Sequence, residues 1–459
     1  MNSVIGALRQ TTIGKALLIA ALTLVLLVPL SMIRGLIEER AQTAGHAHAD
    51  IARSWGGPQT IGAPIVVVPF SYRVERLTGG GAMTAVTELY VLPSEFTIEG
   101  DAGTQVLKRG IFDVPVYTAS LSISGVLEPP AFDSASFPEL EPAWSDAVLA
   151  LPIGDPRSIT APVRITVGDA TAEFDAGGER VRGFGPQLIV PLTELGLESF
   201  STPQDFSLEL ALRGSGSLGF LPLGDSTAVT LASDGPHPSF NGSHLPVERS
   251  VNDSGFTASW RVLGLGRGYP SSWTQAMPDV STPIGDTAIG LGVDFRPSLP
   301  VHATNLRAVK YGILFVGLSF IALFSLEIFK RLRLHAMHYL SVGMANAVFY
   351  LLLLALSEHI GFGLAYAISG TAATLLIVGY SSAILGSRWH AAPIAVLLTA
   401  TYTQLYMILN AEDIALLIGA LSLFGLLTAF MYLTRHVDWF AVDRATPMAP
   451  ADNSAARAG

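Results

Sequence analysis

The sequence is that of an integral membrane protein. It reads as a six-helix transmembrane bundle, one span N-terminal and five C-terminal, bearing a large all-β, sandwich-like exported domain. Two observations predict this. Six apolar runs, 16–33, 309–326, 339–356, 360–385, 391–409 and 414–433, each approach the ~20 residues a helix needs to cross the hydrocarbon core. The stretch between the first and second runs instead alternates apolar and polar residues and is dense in turn signals.

The first run follows Arg9 and Lys15, a positive N-region like that of a signal peptide, and Ala47-His48-Ala49 mimics a cleavage site. The run is longer than the usual ~7–15-residue signal core. Arg34, Glu38, Glu39 and Arg40 also separate it from that site. An uncleaved anchor is expected, continuing as a polar helix over 32–53 and stopped by Gly56-Gly57-Pro58.

The domains are then 1–37 (N-terminus and first span), 38–305 (exported, mainly β, with two lobes as an option), 306–440 (five spans) and 441–459 (a disordered tail). In the exported part, Ile65-Val66-Val67-Val68 and Thr87 to Leu92 read as strands flanking a Gly79-Gly80-Gly81 hairpin loop. Phe206 to Arg213 alternates with period two, and Thr257 to Val262 does so loosely. Turns are expected at Glu99-Gly-Asp101, Gly177-Gly178, Gly214-Ser-Gly216, Asp234-Gly-Pro236 and Asn241-Gly242. Glu128 to Ala143, rich in Pro, Ala and Ser, reads as a long loop or a joint between lobes.

Lysine and arginine set the orientation. Arg9, Lys15, Lys330, Arg331, Arg333, Arg388 and Arg435 fall on one side of a six-span arrangement. Glu358, His359, Asn410, Glu412 and Asp413 fall on the other. Both termini are therefore expected in the cytoplasm and the β domain on the outer side of the membrane. The formal charge of −10 argues against nucleic acid, which needs a basic face. The absence of cysteine excludes disulfides and thiolate chemistry. No HExxH, GxSxG or Walker pattern occurs, so no enzyme and no cofactor are implied. The partners expected are the lipid bilayer and a protein, glycan or lipid met by the exported domain.

Two clusters stand out. On the outer side, Glu358, His359, Glu412 and Asp413 end the third and fifth spans. Tyr406 lies behind them, with Tyr402, Leu409 and Asp413 at helical spacing. Carboxylates beside an imidazole can bind a cation, relay protons or hold a metal; acids at a helix N-terminus also simply cap it. If the helices pack together, His359 is the natural partner of Glu412 or Asp413. Asn346, Tyr350 and Ser357 share a face of the third span in the same way. On the cytoplasmic side, Glu327 precedes Arg331 by four residues, the favoured order for a helical ion pair, and snorkelling to the interface is expected. Arg435 and Asp438 close the last span, as a docking patch or as interfacial anchoring. His335 and His338, at i and i+3, supply at most two metal ligands.

Several stretches resemble one known family. They are Lys108-Arg-Gly-Ile-Phe112, Asp155-Pro-Arg157, Leu212-Arg-Gly-Ser215, Phe220-Leu-Pro-Leu-Gly224, His237-Pro-Ser-Phe240, Arg307-Ala-Val-Lys-Tyr311, 349–362 around Ser357-Glu358-His359, 412–417 and 431–439. In this order they resemble the CreD family, inner-membrane cell envelope integrity proteins of Gram-negative bacteria. Two departures are His335-Ala-Met-His-Tyr339, where the family has His-Pro-x-Gln-Tyr, and His302, where it tends to have Asp. The resemblance implies a non-enzymatic inner-membrane protein of envelope maintenance or stress response, its β domain binding an envelope component or partner. It brings no established reaction. The alternative is a transporter or membrane enzyme using the outer Glu/His/Asp cluster.

Overall fold

A computed structural model describes residues 12–75, 82–197, 199–266, 270–275, 290–295, 301–329, 334–384 and 388–410, with isolated positions beyond 416. Two compact units emerge: 1–43 with 299–459, and 44–298.

The helical unit begins with α1 (Thr12–Trp55), which contains the first expected span and its polar continuation. Gly56, at a φ of +133°, ends it. Within the bundle α1 buries Leu26, Leu30, Ile33 and Ile37, a stripe at alternating steps of four and three that keeps one face inward. Next come α2 (Val301–Lys310) and α3 (Gly312–Phe329), interrupted at Tyr311. The sequence had suggested one continuous span here. A Cβ on Gly312 would lie 3.1 Å from Leu30 and 3.3 Å from Tyr350, so just after the break the backbone passes close to both neighbours.

α4 (Ala336–Ile360), α5 (Phe362–Ile384) and α6 (Arg388–Asn410) cover the next three expected spans. Gly361, at a φ of +78°, separates α4 from α5. Among the described residues four helices are long and apolar enough to cross a membrane, or five if α2 and α3 form one bent span. The sixth expected span, 414–433, lies largely outside the described residues. Gly343 of α4 lets Leu26 of α1 approach, since a Cβ there would meet Leu26 Cδ1 at 2.1 Å.

The second unit is β-rich. Its largest sheet has eight strands in the order β16 (Glu248–Asn252), β17 (Gly255–Leu263), β14 (Ser226–Ser233), β4 (Glu95–Arg109), β5 (Phe112–Leu127), β12 (Gln204–Ser215), β8 (Arg164–Val167) and β9 (Ala170–Glu173). The β14–β4 pair is parallel and the others are antiparallel. Its period-two pattern is explicit. Ala119, Leu121 and Ile123 of β5 and Phe206, Leu208, Leu210 and Leu212 of β12 are buried, while Ser120, Ser122 and Ser207 between them are exposed.

A second sheet runs β10 (Asp175–Gly178), β11 (Gln187–Pro191), β7 (Val148–Pro152), β2 (Ile65–Glu75), β3 (Ala82–Val91) and β18 (Ser272–Thr274), with β6 (Glu141–Pro142) beside β2. Ile65 to Val68 are buried without alternation, because β2 lies inside this sheet and is covered on both faces. A third sheet joins β1 (Gln59–Ile61), β13 (Ser217–Phe220), β19 (Leu291–Asp294) and β15 (Ser239–Gly242). One apolar core draws on all three.

Several turn expectations fall elsewhere. Glu99-Gly-Asp101 is not a turn but the middle of β4. Gly100 is there because a Cβ would lie 2.6 Å from Leu121 and 3.1 Å from Leu231, so its role is close packing. Gly177-Gly178 sits at a bulge between β10 and β11, Gly216 links β12 to β13 at a φ of +80°, and Asn241-Gly242 ends β15. The Gly79–Gly81 loop lies outside the described residues.

Candidate functional site

In the hydrocarbon interior a helix satisfies its own backbone, so polar side chains are what link one helix to another. Three groups of such links, at the two ends and the middle of the described bundle, define the candidate site.

At the Lys15 end, Glu327 near the end of α3 is 4% exposed. Its carboxylate pairs with Lys15 of α1. It also accepts from the Tyr339 hydroxyl of α4 at 2.9 Å and from the Leu334 backbone N–H at 3.1 Å. The expectation that Glu327 snorkels out beside Arg331 is thereby corrected: the carboxylate turns inward and ties three helices. Burial with a countercharge and two further donors is the arrangement that makes an intramembrane acid tolerable. Arg331 itself lies outside the described residues, as does Asp438. Arg435 places its guanidinium 3.8 Å over the Tyr432 ring.

At the middle, Asn346 of α4 is 1% exposed. It donates to Ser319 Oγ of α3 at 3.0 Å and to the Val342 carbonyl at 3.2 Å. It accepts from the Tyr402 hydroxyl of α6 at 3.0 Å. Tyr366 of α5 donates to the Tyr402 carbonyl at 2.7 Å. Phe349 packs against Tyr350, Tyr366 and Tyr402, with centroids 4.8, 5.5 and 4.7 Å away. Asn346, Tyr350 and Ser357 are all buried, on the shared face expected for them.

At the opposite end, Glu358 is 10% exposed on its side chain and faces Arg40 of α1 at 3.9 Å. Its neighbour Ser357 accepts from Asn305 Nδ2 of α2 at 2.9 Å. The expected Glu358–His359 grouping separates. Residues 358 and 359 are adjacent on a helix, so their side chains point about 100° apart; His359 is exposed while Glu358 turns in. Glu412 and Asp413 lie outside the described residues, so a pairing of His359 with either remains an expectation. Tyr406 packs toward α5. It is 40% exposed, its ring 5.3 Å from Tyr366. With Gly363, Gly370, Thr374, Thr399 and Tyr402 it borders a groove of about 500 Å³ on α5 and α6. His335 and His338 also part: the first caps α4 through the Met337 N–H at 3.3 Å, and the second shares a hydrogen bond with Tyr380 at 2.9 Å.

In the β-rich unit, Asp155 makes a tight charged turn. Its carboxylate accepts from the Arg157 backbone N–H and from both Nε and Nη2, each at 3.0 Å. The Arg157 guanidinium holds this carboxyl below its usual range, against the opposing pull of partial burial. The edge strand β16 is exposed along its whole length. Around it Leu245, Val247, Val251, Leu263 and Leu265 are 65, 71, 49, 58 and 99% exposed.

A model of the family described as "Inner membrane protein CreD" matches residues 11–440. The chain belongs to the CreD family. The inner membrane protein CreD of Escherichia coli (strain K12) is 29% identical over 424 residues, 91% of each chain. This CreD-family chain is thus an inner-membrane protein with transmembrane helices and a β-rich domain. Two stretches that carried the resemblance, 307–311 and 349–362, contain Arg307, Lys310, Tyr350, Ser357 and Glu358, which sit at or beside the helix links.

Sequence reasoning missed Lys15–Glu327 and Arg40–Glu358, although a signal was present. Each pair brings opposite charges to the same end of two spans, antiparallel α1 and α3 for Lys15–Glu327 and parallel α1 and α4 for Arg40–Glu358. Attention to neighbours within one helix hid the partner on another.

Proposed function

We propose that this chain is a non-enzymatic envelope protein, a six-span anchor with both termini cytoplasmic whose exported β unit docks an extended segment of an envelope protein. The single observation behind the docking is the β16 edge. A strand paired on one side only, as β16 is with β17, offers a row of backbone donors and acceptors on its other side, and a flanking apolar patch adds side-chain burial; together they suit strand addition. Soluble β proteins guard such edges with charge, proline or short length. Here Glu248, Arg249 and Pro246 provide some of that guard, yet five large apolar side chains remain in water.

The chain has no cysteine, which makes a direct test available. Val247→Cys, carrying an impermeant thiol-reactive crosslinker, should capture a protein partner in spheroplasts, whereas Ser454→Cys should stay unlabelled. Proline at Ser250 or Val251, adjacent positions whose N–H groups point in opposite directions, should abolish capture in one of the two. Labelling of Ser454→Cys alone would reverse the orientation. Capture indifferent to both prolines would remove strand addition.

One observation favours the second reading, a transporter or enzyme at the Glu358 end. Glu358 Oε1 is buried and has no hydrogen-bond donor among the described residues. Against it, the nearby Arg40 already supplies a countercharge, and His359 faces away.

A further inference from the structure

β16 pairs with β17 so that Arg249 lies opposite Ala258 and Val251 opposite Phe256. Directly opposed residues of an antiparallel ladder point to the same face of the sheet. Ala258 and Phe256 are buried in the core, so Arg249 and Val251 stand on the core-side face. They are exposed there nonetheless. Phe240 of β15 covers the neighbouring strand, its ring packed edge-on 5.6 Å from Phe256 and 5.8 Å from Trp260. Val251, one strand further out, is left 49% exposed. Glu248, next to Arg249 in the chain, points to the opposite face. Among the described residues no carboxylate forms an ion pair with Arg249.

The backbone singles out the same two residues. Asn252 pairs with Gly255 across Asp253-Ser254, a two-residue hairpin turn whose flanking residues form a hydrogen-bonded pair. Bonded and non-bonded pairs then alternate along the ladder. Ser250 and Glu248 therefore spend their N–H and C=O groups on β17, while Arg249 and Val251 direct theirs outward. At the far end the Val247 N–H donates to the Ser259 carbonyl at 2.8 Å, so the outward-facing stretch is short, from Arg249 to Val251. So short an edge supplies few backbone bonds, and its selectivity must come from these two side chains.

We propose that the segment docked at β16 runs antiparallel to it and carries an apolar residue opposite Val251 and, two positions later, an acidic residue opposite Arg249. This rests on the strand-addition reading above and names the chemistry of the partner. The antiparallel direction follows from the greater stability of that ladder per residue. Both partner side chains face the core side. The apolar one covers Val251 beside Phe256, and the carboxylate meets the guanidinium. Opposite charges at directly opposed positions stabilise a strand pair, and like charges destabilise it. The same geometry argues against a second copy of this chain as the occupant. If two β16 strands paired antiparallel in one continuous sheet, the residue opposite Arg249 would come from the same face. Glu248 lies on the other face and could not supply the carboxylate. Arg249 is thus the residue that sets specificity at this edge.

The test uses the full chain in detergent as the Val247→Cys variant, since Val247 is 71% exposed beside the edge and the chain has no native cysteine. The probes are short threonine–valine peptides with a C-terminal cysteine, which an antiparallel peptide brings to position 247. They differ only at the position two after the valine, which is glutamate, glutamine or lysine; a proline-interrupted peptide that cannot form a strand is the control. The rate of disulfide trapping under a mild oxidant reads occupancy. The glutamate peptide should trap about fivefold faster than the lysine peptide, the scale of one cross-strand charge pair, with glutamine between. Arg249→Glu, at an exposed position, should reverse that order, and Arg249→Lys should keep it. Equal trapping of the three peptides, or an order unchanged by Arg249→Glu, overturns the proposal and leaves strand addition standing. Trapping of all three no faster than the proline-interrupted control removes strand addition itself, and the proposal with it. Disulfide-linked pairs of the chain that outcompete every peptide would make a second copy the occupant and overturn the proposal as well.

Discussion

The two units of this protein solve the problem of buried polar groups in opposite ways. In the β-rich unit the backbone ladders do the joining, and buried polar side chains serve loops. Gln187 accepts from the Arg180 and Val181 N–H groups and donates to the Val181 and Gly185 carbonyls, and Ser215 donates to the Gly56 carbonyl. In the helical unit the backbone is largely spent within each helix, the Tyr402 carbonyl that accepts from Tyr366 and the Leu334 N–H that donates to Glu327 being exceptions. The joining falls to side chains on different helices: Lys15 and Tyr339 on Glu327, Asn346 with Ser319 and Tyr402, Asn305 on Ser357. The contrast teaches where each unit is fragile. The sheets should suffer from lost apolar volume, the bundle from lost polar partners.

Removing the charge at the Lys15 end should have the largest effect. Glu327→Ala strands Lys15, Tyr339 and the Leu334 N–H, at a cost of about 3–5 kcal/mol for a broken buried pair. Glu327→Met combined with Lys15→Met should regain most of that loss, because neither charge is left unpaired. Denaturant unfolding of the detergent-solubilised chain measures both, and additive losses in the double variant would dissolve the coupling.

Next comes the apolar side of the comparison. Leu121 is fully buried and packs at the Gly100 position, so Leu121→Ala should cost about 3 kcal/mol through lost burial and cavity formation. The loss should appear in the melting of β-sheet circular dichroism. A shift confined to the helical signal would contradict the assignment of that residue to a separate core.

The smallest effect should be at the centre of the bundle. Asn346→Leu keeps the volume but deletes the links to Ser319 and Tyr402, and hydrogen bonds between membrane helices are worth about 0.6 kcal/mol each. A loss near 1 kcal/mol by the same unfolding assay would fit. A loss as large as that of Glu327→Ala would mean that neutral links matter as much as charged ones here.

Much of this organisation was legible in the residues. Apolar runs of membrane length placed α1, α4, α5 and α6 because hydrocarbon tolerates little else at that length. Period-two alternation found β12 and β17, and the Ile65–Val68 run marked a strand, whose burial on both faces only the sheet revealed. Glycine was less readable. Gly100 looks like a turn residue, and its true reason, two leucines on neighbouring strands, is invisible until those strands are aligned.

The sequence by itself therefore determined the class of the protein: membrane spans, a β-rich insertion, and a family likeness in ordered motifs. These follow from local hydrophobicity and periodicity, which act over a few residues. Only the tertiary structure decided which charges meet. Glu327 had Arg331 four residues away and Lys15 more than three hundred residues away; Glu358 had His359 beside it and Arg40 far upstream. In both cases the carboxylate turned to the distant partner. The physical reason is that a side chain's direction is set by its helix face, and the countercharge that matters is the one the neighbouring helix brings to that face.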